Sequence, residues 1–323
     1  MTKSYPKVSI LTPLHETSHE LVERAFLSIK TGKYELENLE WVVVLHNCSK
    51  EYSEAFHERF DKEEFLTVSE VNMPQTGLAY ARAKTLEKAK GEYIFFLDGD
   101  DELTPSCIRD AVEAMEDTGA DIAAFSIWVK FGAGGIGGFC DADPSKGRLI
   151  LDKGDERIGS TMCYSGVGVW SRGYRRSFLL DKGISFDESC PNHITDPVFN
   201  LDAALRTSRI VILPQLMGYI YYYGIGMLKA DGKNAAKDLL LLLDRYFEKY
   251  RQQGLIADNL MWFFLQLILL LIRSNVKDDT QRDYLKKVKE YSEKLDKPVM
   301  NWTYLQGGMN HICKEIKKAT EEV

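Results

Sequence analysis

Two hydrophobic periods alternate along the first 130 residues of this chain, and that alternation constrains its fold more than any single motif does. Short β-branched runs at Val8 to Thr12 (VSILT), Trp41 to Leu45 (WVVVL), Leu66 to Val71, Tyr93 to Leu97 and Ile122 to Val129 read as strands. Between them the apolar spacing turns helical, at Glu20 to Lys30, Glu51 to Phe60, Leu78 to Ala89 and Pro105 to Asp117. Strand and helix in alternation build βαβ units, so an α/β fold is expected, a Rossmann-like, mostly parallel sheet with helices on both faces. From about residue 132 the pattern loosens into loop and mixed segments, with one clear helix start at Thr195-Asp196-Pro197. Beyond residue 235 the segments AAKDLLLLLDRYFEKYRQQ, NLMWFFLQLILLLIRS, QRDYLKKVKEYSEKL and a last stretch near 302 to 320 predict a C-terminal helical subdomain.

Residues 93 to 105, YIFFLDGDDELTP, end one of the apolar runs in three aspartates and a glutamate. A solvated strand-to-helix turn is one reading, with Thr104 and Pro105 as the N-cap and first-turn proline of the next helix. An EF-hand loop fails, because Leu103 stands where Gly is needed and Arg109 where the bidentate Glu is needed. A divalent-cation site is the other reading. Asp98 and Asp100 lie at the carboxyl end of a central strand, where open α/β sheets bind ligands, and hard oxygen ligands suit Mg2+ or Mn2+ on a diphosphate. Residues 132 to 137 also satisfy G-x-G-x-x-G, but the GFCDADP that follows cannot open a helix to receive a pyrophosphate, so a mobile loop is predicted there.

Charge and cysteine content exclude other classes. Lys plus Arg number 41 against 48 Asp plus Glu, a net charge of −7, which supplies no basic footprint for nucleic acid. The six cysteines contain no C-x-x-C pair and MTKSYPKVSI holds no apolar leader core, so a reduced, cytoplasmic setting without structural zinc is expected. Asn47-Cys48-Ser49 and Asn301-Trp302-Thr303 match the glycosylation sequon by chance in such a setting. Met261 to Ile272, MWFFLQLILLLI, falls short of the roughly 20 residues that span a bilayer and reads as a buried helix. A peripheral position at the inner face of a membrane stays open, as does a homo-oligomer, since these helices carry more apolar surface than one stripe hides.

VSILTP at 8 to 13, WVVVL with Asn47 and Ser49 behind it, NMPQTGLAYAR at 72 to 82 and AKGEYIFFLDGDDEL at 89 to 103 resemble the nucleotide-binding half of the GT-A inverting glycosyltransferases of family 2. GYRRSFLLDKGISFDES at 173 to 189, Thr195-Asp196 before an apolar helix, and ILPQLMGYIYYY at 212 to 223 extend the likeness. The resemblance implies a catalytic domain over 1–230, with a nucleotide-sugar half at 1–130 and an acceptor half at 131–230, followed by the helical subdomain at 231–323. It implies a metal-dependent enzyme that moves a sugar, UDP-linked, to the hydroxyl of a saccharide, lipid-linked glycan or protein. Asp98 is then similar to the acid that meets the ribose, Asp100 to the ligand of a Mn or Mg cation, and Asp196 to the general base. Asp101 extends the acidic edge, Gly77 and Arg82 line the nucleotide pocket with Gly99 beside them, and Pro13 opens its first loop.

The chain departs from the family at three places. His46 and Asn47 stand where an aspartate usually meets the base, Thr195 where a glutamate is usual, and Gly224-Ile225-Gly226 where an arginine usually meets the phosphates. The phosphate role passes to the cation, to Lys229 or to Arg172, Arg175 and Arg176. A nucleotidyltransferase is a rival reading, although SILTPLHETS lacks the basic Gly-rich signature it would need. A degenerate member acting as a binding or scaffold protein is the non-enzymatic rival. Asp196 is also well placed to cap the helix that Pro197 opens.

Overall fold

The structure, a computed structural model, describes residues 7–72, 77–132, 134–137, 147–155, 157–158, 168–188, 196–222, 232–252 and 280–295, with isolated positions and runs of two or three between 261 and 276 and between 314 and 321. The first half runs β1 (Val8–Leu14), α1 (His19–Lys30), β2 (Leu39–His46), α2 (Lys50–Phe60), β3 (Leu66–Val71), α3 (Leu78–Lys88), β4 (Tyr93–Phe96), β5 (Glu102–Leu103), α4 (Cys107–Thr118) and β6 (Ile122–Phe131). Then follow β7 (Gly134–Gly137), β8 (Leu149–Asp152), β9 (Arg172–Arg175), α5 (Arg176–Asp181), α6 (Asp196–Arg206), β10 (Arg209–Tyr222), α7 (Gly232–Arg251) and α8 (Thr280–Lys294).

These strands form one sheet in the order β3-β2-β1-β4-β9-β6-β10-β5, with β7 beside β6 and β8 beside β10. The strands β3, β2, β1, β4, β6 and β10 run in one direction, and β5, β7, β8 and β9 run against them. The chain winds outward through β1, β2 and β3, then returns to place β4 on the other side of β1. That reversal opens a crevice at the carboxyl ends of β1 and β4, the place where doubly wound sheets take ligands.

Period-two alternation sends neighbouring residues into two separate cores. Ile10, Trp41, Val43, Tyr93, Phe95 and Phe125 face α1, α2 and α4. Leu11, Val42, Ile94, Phe96 and Ile122 face α3, α5 and α6, and the same cluster takes in Leu240, Leu243 and Phe247 of α7 and Val288 of α8. The C-terminal helices thus complete one face of the sheet. Leu241, in the middle of the LLLLL run, is 45% exposed, so α7 buries a stripe and leaves its outer side to solvent. Among the described residues no helix is long and apolar enough to cross a membrane.

Several local expectations are corrected. The glycine run is no loop: Gly134–Gly137 pairs antiparallel with Trp128 to Phe131, closing a hairpin. The cap of α4 is Ser106, and Cys107 is its first residue. Thr104 is held outside the helix, its N–H donating to the Gly218 carbonyl at 2.9 Å, so Pro105 precedes the cap. Pro13 lies inside β1 opposite Val44, where the strand runs two residues longer than its β-branched core suggests.

A buried polar clamp fixes the opposite ends of the central strands. The Ser9 hydroxyl donates to the Glu40 carboxylate and accepts from the Gly91 N–H at 2.7 Å, while the Lys90 N–H donates to the same carboxylate. A Cβ on Gly91 would stand 2.5 Å from the Ser9 backbone nitrogen, which cannot move without breaking the β1–β4 ladder. We expect Gly91→Ala to cost about 3 kcal/mol, at the upper end for overpacking, measured as a lowered urea midpoint with unchanged m.

Candidate functional site

Buried charge organises the crevice. Arg82 projects from the sheet-facing side of α3 and is 2% exposed. Its Nη2 donates to both oxygens of Asp98, at 2.9 and 3.1 Å, and its Nη1 donates to Asp196. One planar guanidinium therefore joins residues 98 and 196 at the mouth of the sheet. The second oxygen of Asp196 accepts from the Val169 N–H at 3.2 Å, so this carboxylate is spent on the site and not on capping α6, of which Asp196 is the first residue. Burial pushes the Asp196 carboxyl above its usual range, and the Arg82 charge opposes that rise only in part. Burial alone would lower the Arg82 pKa, but the carboxylates of Asp196 and Asp98 outweigh it and keep the guanidinium charged.

The acidic turn divides its carboxylates between two directions. Asp101 was expected to extend the outer acidic edge; it is 1% exposed and turns inward instead. Its oxygens accept from the Tyr219 hydroxyl at 2.8 Å and from the Tyr222 N–H at 2.9 Å, bonds that repay an apolar environment. The Tyr219 hydroxyl also accepts from the Asp98 N–H at 3.1 Å. Asp100 is half-buried, and no described Lys or Arg lies within ion-pair distance of its carboxylate. Burial and then the neighbouring Asp98 raise its pKa to about 6. Between them, Gly99 leaves room for Leu14: a Cβ there would meet the Leu14 Cδ2 at 2.3 Å.

On the other side of the crevice lie His46 and Asn47, at the end of β2. His46 is 6% exposed, and its Nε2 is buried without a hydrogen-bond partner among the described residues. Burial, then the adjacent His15, lowers its pKa, so the ring is neutral. The carbonyl of His46 can only accept, so His15 Nδ1, 2.8 Å away, carries the proton. Asn47 and Glu16 adopt the left-handed region, with φ of 48° and 51°, each just after its strand. Tyr80 of α3 closes the far side, its ring centroid 6.3 Å from that of His46.

Other candidate residues scatter. Gly77 is the N-cap of α3. Arg172 is fully buried at the crevice end of β9, donating to the Gly168 carbonyl at 2.7 Å. Arg175 and Arg176 sit at the opposite end of the sheet, where Arg175 pairs with Glu92 at 3.1 Å and the Arg176 N–H donates to the Glu92 carbonyl, so neither reaches the crevice. The antiparallel run of β9 causes this, because it carries each successive residue away from the carboxyl ends of β4 and β6. Lys229 and Thr195 lie outside the described residues. Three contributors escaped the sequence reading: Tyr219, Arg24 and Trp170, whose ring stacks on Tyr219 at 4.7 Å and on Tyr221 at 5.5 Å. Alternation within GYIYYY hinted at the tyrosines; nothing local marked the other two.

Among the described residues no group of three or more His, Cys, Asp and Glu converges into a cage for a metal. A hard cation that completes its shell with substrate phosphates needs only one or two carboxylates, and Asp100, whose carboxylate forms no ion pair with a described Lys or Arg, fits that demand.

An open, mostly parallel sheet whose acidic turn is joined through Arg82 to a buried acid has the architecture of a GT-A fold. The family model described as Glycosyl transferase family 2 matches residues 9–167, and the chain belongs to that family. It is 23% identical over 277 residues to the poly(ribitol-phosphate) beta-N-acetylglucosaminyltransferase TarS of Staphylococcus aureus, covering 77% of this chain and 45% of TarS. The chain thus spans less than half the length of that relative. In structure it is similar to S. aureus TarS 1-349 in complex with UDP-GlcNAc, with a TM-score of 0.70 at 18% identity over 97% of this chain and 89% of the other. The mannosyltransferase PcManGT of Pyrobaculum calidifontis, in complex with GDP-Man and Mn2+, aligns with a TM-score of 0.56 at 14% identity over 98% of this chain and 86% of its own.

If Arg82 is the counter-charge that lets Asp196 stay buried, Arg82→Met should cost about 3–5 kcal/mol, the usual result of orphaning one side of a buried pair. In an Asp196→Asn background the same change should cost at least about 1 kcal/mol less. Urea denaturation of the four proteins in a double-mutant cycle measures the difference.

Proposed function

We propose that the chain transfers a hexosyl or N-acetylhexosaminyl unit from a UDP-sugar to an acceptor hydroxyl with inversion, and that Asp196 is the general base. The observation that carries this reading is the position of Asp196, buried at the crevice and joined through one guanidinium to the acidic turn. The UDP-GlcNAc complex of TarS supports a uridine donor. In this reading the acceptor oxygen attacks the anomeric carbon and the bond from that carbon to the diphosphate oxygen breaks. Its electron pair leaves with UDP, and the acceptor proton passes to Asp196. A carboxyl raised by burial is a stronger base than an exposed one, which suits that task.

Asp100 would hold a divalent cation, Mn2+ or Mg2+, a reading that the Mn2+ complex of PcManGT supports. When bound, such an ion stabilises the charge that develops on the departing diphosphate. Asp98 meets the ribose, and the unpartnered Nε2 of His46 meets the base at the end of β2. Arg82 holds Asp98 and Asp196 in place while the donor enters.

Asp196→Asn preserves shape but cannot accept a proton. It should leave Mn2+-dependent UDP binding within a few-fold of the parent and lower transfer at least roughly 10²-fold, as followed by release of UDP and mass spectrometry of the product. Transfer close to the parent rate would remove the base assignment.

Asp100 offers a test with opposite signs. Its folded pKa, about 6, lies above the ordinary carboxylate value, so the folded state loses stability as pH rises through that interval and keeps it below. Asp100→Asn should therefore raise the melting temperature at pH 8 in EDTA, change little at pH 4, and abolish Mn2+-dependent UDP binding. Calorimetry at the two pH values and a UDP titration read the two effects separately.

A further inference from the structure

Arg24 belongs to no motif of the sequence, yet it reaches the acidic turn from a different element. It projects from the second turn of α1, and its Nη2 donates to the backbone carbonyl of Asp100, 76 positions away. The guanidinium lies over the ring of Tyr222, 3.7 Å from its centroid, close enough for a cation–π contact. Its Nε stands 3.6 Å from the Glu102 carboxylate, too far for a hydrogen bond.

Tyr222 is fixed in turn. Its N–H donates to Asp101 at 2.9 Å, its hydroxyl donates to Glu102, and the Lys130 ammonium donates to that hydroxyl at 3.1 Å. Arg24 therefore ties three separate elements together: α1, the turn carrying Asp98 and Asp100, and the last residue of β10. The choice of acceptor matters most. Arg24 bonds the Asp100 carbonyl and not its carboxylate, so it fixes the place of the residue without occupying the oxygens that would face a cation. A guanidinium paired with the carboxylate itself would compete with any metal for the same lone pairs.

We propose that Arg24 is a positioning residue that holds Asp100 for a divalent cation on a nucleoside diphosphate, with Tyr222 as the surface that orients Arg24. The inference rests on the assignment of Asp100 to that cation. A purely structural Arg24, joining α1 to the sheet, would lower the melting temperature on substitution and leave the metal requirement of UDP binding where it was.

The test titrates Mn2+ against the full chain at fixed UDP, by calorimetry and by electron paramagnetic resonance of free Mn2+, and measures UDP affinity in EDTA separately. Arg24→Gln should raise the Mn2+ midpoint about tenfold or more, the usual effect of removing a partner that orients a metal ligand, with UDP affinity in EDTA unchanged. Arg24→Lys should recover part of the loss, since an ammonium can still bond the carbonyl but lacks the planar stack. Tyr222→Leu should shift the midpoint in the same direction as Arg24→Gln. A parent-like midpoint in Arg24→Gln, or an equal loss of UDP affinity in EDTA, overturns the inference. Should Arg24→Gln fail to fold, an unshifted midpoint in both Arg24→Lys and Tyr222→Leu overturns it equally. A parent chain whose UDP binding ignores Mn2+ refutes the cation assignment of Asp100, and this inference with it.

Discussion

The guanidinium of Arg82 is the interaction on which the rest of the crevice depends. Two acids, Asp98 and Asp196, approach the mouth of the sheet from opposite halves of the chain, and the buried carboxylate of Asp196 needs a counter-charge to offset its lost hydration. The buried guanidinium on α3 supplies it and bonds both acids within one site. Because α3 packs on the same face of the sheet as α6, Arg82 joins the first half of the fold to the helix that begins at Asp196. Its planar fork matters here, since a lysine could satisfy one carboxylate closely but not present parallel donors to two. The lining of the cavity with opposed charges is also what sets the proton affinity of Asp196, where burial and Arg82 pull in opposite directions.

A second constraint governs the acidic turn. Consecutive like charges can share one short loop only when their environments differ. Here Asp98 is neutralised by Arg82 and Asp101 is absorbed into hydrogen bonds from Tyr219 and Tyr222. Asp100 alone keeps a carboxylate that forms no ion pair with a described Lys or Arg. The aromatic side of the crevice supports this division: Trp170 stacks on Tyr219, and the residue before it, Val169, donates its N–H to Asp196. Asp196 and the acidic turn are thus steadied by the same short stretch ahead of β9.

Much of this was legible in the order of residues. Ile10 and Leu11, Val42 and Val43, Phe95 and Phe96 alternate between the two cores as their period requires, and the βαβ winding through residue 131 follows from that alternation. The position of the acidic turn after an apolar strand likewise placed it at the ligand-binding edge of the sheet, because the carboxyl ends of parallel strands share one edge. What stayed hidden were the antiparallel insertions. Glu102–Leu103, Gly134–Gly137 and Leu149–Asp152 are too short or too glycine-rich to register as strands, and they exist because β6 and β10 offer open ladders for them.

The roles of individual side chains were decided only in three dimensions. Asp98, Asp100 and Asp101 are the same residue type within four positions, and no local rule distinguishes the one that pairs with arginine, the one whose carboxylate meets no described Lys or Arg and the one that turns into the core. Arg175 and Arg172 are equally basic in sequence, but β9 runs antiparallel and carries Arg175 to the far edge beside Glu92, leaving Arg172 at the crevice. Asp196 read equally well as a helix cap until Arg82, more than a hundred positions earlier, was seen to hold it. The sequence by itself determined the strands, the helices and the edge at which chemistry gathers, because those follow from periodicity over neighbouring residues. Tertiary structure alone decided which charge meets which, because a buried ion pair depends on distance through space, and nothing in the spacing of residues along the chain encodes that.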